Sequence, residues 1–152
     1  MADLRNINHI LIGYDRTKEY VINREIIRYN FPNGLDLWLT AVFNGDLDKI
    51  ASGCGENTFI TIPENTGYAY GALDAINAGL RFALAGYRDI VVLTNFDGFF
   101  FNQERYDNLI DDFIASGKPF GAGKHQSHKF PMSDLMLFKK DFLKEFLPLK
   151  AE

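Results

Sequence analysis

Short apolar runs alternate with amphipathic stretches along the whole chain. His9-Ile10-Leu11-Ile12-Gly13 has the length and composition of a buried strand. From Arg16 to Tyr29 the apolar residues Ile22, Ile26 and Tyr29 return at helical spacing, and Phe31-Pro32-Asn33-Gly34 breaks the pattern and turns the chain. Leu35 to Phe43 is strand-like and stops at the turn sequence Asn44-Gly45-Asp46. Phe59 to Ile62 predicts a third strand, ended by Pro63. A small-residue helix follows from about Ala69 to Ala85, with Gly86 as its stop. Asp89 to Thr94 carries the densest apolar run, which predicts a central strand covered on both faces. Asn102 suits the N-cap of a helix whose Tyr106, Leu109, Ile110, Phe113 and Ile114 form one stripe, and Gly117 ends it. Leu135 to Phe138 reads as a last strand and Asp141 to Leu147 as a short terminal helix.

Strand–helix alternation of this kind predicts an α/β fold: a single domain over residues 1–152, with a mainly parallel sheet and helices on both faces. The 152 residues, 47% of them hydrophobic and 14% aromatic, suffice for a core that needs no disulfide or metal staple. The net charge of −4 with dispersed Lys and Arg argues against a nucleic-acid binder. No apolar run approaches the ~18 residues of a membrane span, and the first residues lack the layout of a secretory signal. Cys54 stands alone, which excludes an internal disulfide framework and a Cys-rich zinc site. The expectation is a soluble, cytoplasmic protein.

Parallel sheets bind ligands beyond the carboxyl ends of their strands, so the residues there carry the candidate chemistry. Asn95-Phe96-Asp97 closes the central strand with an oxygen ligand on alternate residues, a spacing that suits a hard divalent cation completed by substrate phosphates. It suits equally a simple turn before the Asn102 helix. Gly67, Gly71 and Gly79 interrupt an otherwise good helix, which allows close backbone approach either to a ligand or to a neighbouring strand. Their spacing matches neither a dinucleotide-binding nor a triphosphate-binding glycine loop. Asp46 and Asp48 form an acidic turn. His125 and His128 lie in a polar, glycine-flanked segment, as metal or phosphate contacts or as bystanders. Cys54 has no histidine near it in sequence, so a nucleophilic role is not expected.

Together these pieces resemble the GT-A nucleotide-sugar glycosyltransferases, and most nearly glycosyltransferase family 2, over about Ile10 to Phe142. Tyr14-Asp15-Arg16 is similar to the family's turn after the first strand. Val42-Phe43-Asn44-Gly45-Asp46-Leu47-Asp48 stands in register with its second-strand motif. Asn65-Thr66-Gly67-Tyr68-Ala69 and the later Asn77-Ala78-Gly79 resemble its segments at the following helix, and Asn95-Phe96-Asp97 its metal motif. The resemblance implies a nucleoside-diphosphate sugar donor and an unidentified acceptor, with Mn2+ or Mg2+ as cofactor. It implies donor contacts from Tyr14, Asp15, Arg16, Asn44, Asp46, Asn65 and Gly67, and metal ligation by Asn95 and Asp97.

The departures are specific. Phe43 stands where the family carries a base-contacting aspartate, the metal motif keeps a single carboxylate, and the acceptor half after Asp97 is short. Asp134 is the acid placed to be the catalytic base. The segment Gly121 to His128 is expected to fold back as a glycine-hinged loop beside Asp97, with His125 or His128 as a further metal ligand and Lys124 adding charge. A GT-A-like domain that binds a nucleotide-sugar or a partner protein without transferring sugar is the alternative. A phosphorelay receiver fails on the spacing of Asp97 and Lys118, and a nucleotidyltransferase on the shortness of Gly13-Tyr14-Asp15-Arg16.

Overall fold

A computed structural model describes residues 2–14, 16–33, 36–45, 57–124 and 131–150. Its six strands form one sheet in the order β3-β2-β1-β4-β6-β5. The strands are β1 (Ile7–Gly13), β2 (Trp38–Asn44), β3 (Thr58–Ile62), β4 (Ile90–Asn95), β5 (Phe120–Lys124) and β6 (Pro131–Lys139), and the helices are α1 (Thr17–Asn30), α2 (Tyr68–Ala85), α3 (Gln103–Ala115) and the single turn α4 (Leu143–Phe146). β3, β2, β1 and β4 pair in parallel, while β6 runs antiparallel to both β4 and β5.

Side chains on a strand alternate between the two faces of a sheet, and this divides the core into two layers. On one side Ile7, Leu11, Leu39, Phe43 and Val92 meet Tyr20 and Ile27 of α1 and Tyr106, Ile110 and Phe113 of α3. On the other side Ile10, Ile12, Val42, Val91 and Leu93 meet Ala75, Ile76, Leu80 and Ala83 of α2, together with Leu143 of α4. β1 and β4 are buried on both faces, as parallel central strands require.

The structure corrects two local expectations. In α1 the buried side is Tyr20, Asn23, Arg24 and Ile27. Of the residues that suggested an apolar stripe, Ile22 and Tyr29 are 51% and 74% exposed, and Ile26 is half-buried. The helix thus buries a polar face that an apolar count passes over. In the C-terminal part, Phe120–Lys124 is not a hinge loop but strand β5, paired with β6, which itself begins at Pro131. The glycines fit there because their missing side chains are already replaced by neighbours. A Cβ on Gly121 would come to 3.3 Å from the Phe113 ring and one on Gly123 to 3.3 Å from Leu135 Cβ.

Gly79 answers the packing question raised by the glycine-rich helix. A Cβ there would sit 2.7 Å from Ile10 Cγ2, so its role is to let α2 lie close against β1. Gly67, by contrast, has φ of +85° with open space around it, and serves as the turn into α2.

Candidate functional site

The parallel register brings the carboxyl ends of β1, β2 and β4 side by side, with Gly13 level with Phe43 and Ile12 level with Asn95. Beyond them lies a cleft of about 670 Å³. Tyr14 and Arg16 reach it from the end of β1, Asn44 from β2, Asn65 and Gly67 from the turn into α2, and Asn95, Phe96 and Asp97 from β4. Ile12, Ala72 and Ala75 form its apolar wall. Four separate strand ends thus contribute seven of the residues singled out in the sequence. Asp15, Asp46, Asp48, His125 and His128 lie outside the described residues.

Each side chain is held differently. The Tyr14 ring is about half exposed. Arg16, just before α1, pairs with Glu19 at 3.2 Å across the first turn. Asn44 is 4% exposed; its Nδ2 donates to the Gly71 carbonyl, and its Oδ1 is buried without a partner among the described residues. That bond commits the amide nitrogen to the fold and leaves the acceptor oxygen as the unpartnered atom. Gly71 makes the reach possible, since a Cβ there would collide with Asn65 Oδ1 and press on Asn44 Nδ2. Asn65 is largely committed to the fold: its Oδ1 accepts from Gly67 N at 2.7 Å and its Nδ2 donates to the Asn44 carbonyl at 3.4 Å.

At the end of β4, Asn95 Nδ2 donates to Asp134 Oδ1 at 2.8 Å across the antiparallel β4–β6 pair. The bond engages the amide nitrogen of Asn95, so that the carboxamide oxygen is the atom available to a cation. Asp97 is exposed at the rim. Among the described residues no three His, Cys, Asp or Glu side chains gather into a set that could hold a metal ion. The hard oxygens of Asn95 and Asp97, with Asp134 beside them, nevertheless suit a magnesium- or manganese-type cation that takes its remaining ligands from phosphates and water.

Under this edge sits a polar group to which the sequence pointed no role. His9 is fully buried, with Nε2 2.9 Å from Thr94 Oγ1 and Nδ1 3.2 Å from the Tyr106 hydroxyl. Burial, and then the positive charge of Arg24, pushes the imidazole down to about 3. The Tyr106 phenol is pushed up by the same burial. Phe43 is buried against Tyr20, Phe59 and Phe96, with ring centroids 4.8–5.2 Å apart, and presents no polar group to the cleft.

Solved structures share this architecture. A mannosyltransferase from Pyrobaculum calidifontis, in complex with GDP-Man and Mn2+, superposes with a TM-score of 0.68 at 14% identity, covering 93% of this chain and 46% of its own. A cytidylyltransferase from Leptospira borgpetersenii serovar Hardjo-bovis gives 0.62 at 10% identity, covering 97% of this chain and 66% of its own. TarS from S. aureus, in complex with UDP-GlcNAc, gives 0.54 at 11% identity, covering 91% and 46%. The fold is GT-A. The GT-A resemblance seen in the motifs therefore holds at the level of structure, over a chain that spans about half to two thirds the length of these neighbours. No protein-family model matches the chain. No curated protein matches it either. No helix among the described residues is long and apolar enough to cross a membrane.

Proposed function

We propose that the GT-A cleft binds a nucleoside-diphosphate sugar and that the chain is a metal-dependent glycosyltransferase acting on an acceptor of unassigned class. The observation that carries this reading is the convergence of Tyr14, Asn44, Asn95 and Asp97, from three strand ends, on one cleft. The mannosyltransferase complex with GDP-Man and Mn2+ supports it by fold. Tyr14 offers an exposed ring for stacking, and Asn44 adds a buried amide to the cleft lining whose Oδ1 has no partner among the described residues. Asn95 and Asp97 would hold the cation, which when bound neutralises charge on the leaving diphosphate. Asp15, Arg16, Asp46, Asn65 and Gly67 complete the donor side in this reading, and His125 or His128 adds a ligand. The single cysteine is in keeping with a cytoplasmic setting.

Asp134 is proposed as the base, but its Oδ1 already accepts from Asn95. That bond engages one carboxylate oxygen and leaves Oδ2 to act; the second reading is that the domain binds the donor without transferring sugar. A nucleotidyltransferase remains the weaker reading, because only Tyr14, Asp15 and Arg16 separate β1 from α1. Thermal shift with GDP, UDP and CDP, each with and without Mn2+, tests the cleft. A ligand that binds only the folded state raises stability by about 2.7 kcal/mol at 100 times its Kd. No shift with any nucleotide overturns the proposal. A shift without hydrolysis or transfer of the matching sugar nucleotides selects the binding-only reading.

A further inference from the structure

Asp97 projects from a short loop whose backbone is fastened on both sides of it. On the β1 side, Phe96 N donates to the Ile12 carbonyl at 2.8 Å, and the Phe96 ring is buried where a Cβ on Gly13 would collide with it. Gly98 N donates back to the Asn95 carbonyl at 2.9 Å. The remaining tie comes from outside the loop. Asn23, in the middle of α1 and 0% exposed, donates from the same Nδ2 to the Phe96 carbonyl at 3.2 Å and the Gly98 carbonyl at 2.8 Å. These are the two residues that flank Asp97.

The asparagine spends its amide nitrogen on the loop and leaves its oxygen unpaired. Its Oδ1 is buried with no partner among the described residues, a desolvation cost on the order of 1–3 kcal/mol. An apolar residue of similar volume would avoid that cost but leave the Phe96 and Gly98 carbonyls without this donor, so the net effect on stability is small and the effect on the loop is large. What the amide supplies is direction. With the carbonyls on either side of Asp97 held to a helix, the loop has little freedom to swing, and the carboxylate stays at the rim of the cleft beside Asn95.

We propose that Asn23 is a positioning residue for Asp97: it touches no ligand itself, and sets how tightly the cleft holds a divalent cation by clamping residues 96 and 98 to α1. The inference rests on the reading of Asp97 as a metal ligand. Partners that orient a ligand in this way are worth roughly 10- to 100-fold in metal affinity.

The test compares wild type, Asp97→Asn and Asn23→Leu, with Asn23→Ala in place of the leucine variant should that one not fold. Mn2+ affinity is measured by electron paramagnetic resonance, alone and with GDP. Backbone hydrogen exchange is followed at residues 96–98 and, as an internal reference, at 90–94 of β4. The expected result is Mn2+ affinity lower by roughly 10- to 100-fold in the Asn23 variant, with faster exchange confined to the loop and β4 unchanged. A merely structural asparagine would instead speed exchange in α1 and β4 together. Unchanged Mn2+ affinity in the Asn23 variant, while Asp97→Asn loses it, overturns the role of Asn23 and leaves the cleft reading intact. A wild type that binds no Mn2+ with or without GDP overturns both.

Discussion

Acidification should weaken this fold through His9, by an amount that its burial sets. In the unfolded chain an imidazole takes up its proton near pH 6.5, whereas in the fold His9 is held down to about 3. Below pH 6.5 the unfolded state therefore binds a proton that the native state refuses. Stability is lost as the pH falls through that window, and the loss levels off only near pH 3. At pH 5 it comes to about 2 kcal/mol, and this figure barely depends on the native value so long as that value stays well below 5. The groups around the ring offer no relief: Thr94 and Tyr106 supply neutral hydroxyls, Phe100 packs edge-on, and Arg24 adds a like charge. Asp107 on α3 works in the opposite direction, because burial raises its carboxyl and the native state holds that proton more readily. The measurement must therefore be a difference. Urea unfolding at pH 7 and pH 5 is compared for wild type and His9→Gln, since the variant cancels Asp107 and every other titrating group. Wild type should lose about 2 kcal/mol more than His9→Gln between the two pH values. Equal losses in the two proteins would refute the assignment of a buried, neutral imidazole.

Three further outcomes follow from the cleft. Asp97→Asn should keep the wild-type melting temperature without ligand, because the side chain is exposed, and lose the stabilisation by Mn2+ with nucleoside diphosphate; differential scanning fluorimetry reads both. Gly71→Ala should destabilise the protein by about 1–3 kcal/mol in urea unfolding, since the new methyl collides with Asn65 and Asn44. Tyr14→Ala should leave stability within about 0.5 kcal/mol of wild type and weaken nucleotide binding in calorimetry, as the ring is half exposed and packs at the cleft mouth.

Much of the architecture could be read from apolar periodicity, and the places where it could not are those where another force decides. Central strands such as β4 announce themselves because both faces are buried, and Asn102 caps α3 through a side-chain bond to Arg105 N that sequence grammar anticipates. Strand β5 stayed hidden because alternation needs side chains to be visible, and Gly121 and Gly123 have none; the contacts that hold this edge belong to Phe113 and Leu135. In α1 the buried face is half polar, with Asn23 and Arg24 between Tyr20 and Ile27, so a count of apolar residues selects the wrong side.

The same blindness limits what sequence says about the site. A strand-end rule finds Tyr14, Asn44, Asn95 and Asp97, because their position along the chain coincides with their position in space. It does not find residues that serve the site from elsewhere. Gly71 matters to Asn44 only through the packing of α2 on the strand end, and Asn23 reaches the Asp97 loop from 73 and 75 residues away in sequence. One signal for Asn23 was nonetheless present: it falls three residues after Tyr20 and four before Ile27, on a stripe where a buried amide has to be hydrogen-bonded to something. Here Asn23 finds its acceptors in the Phe96 and Gly98 carbonyls, which lie just beyond the end of β4. Polar residues on the buried side of a helix are therefore a place to look for the groups that hold a ligand loop in shape, and here that loop carries Asp97.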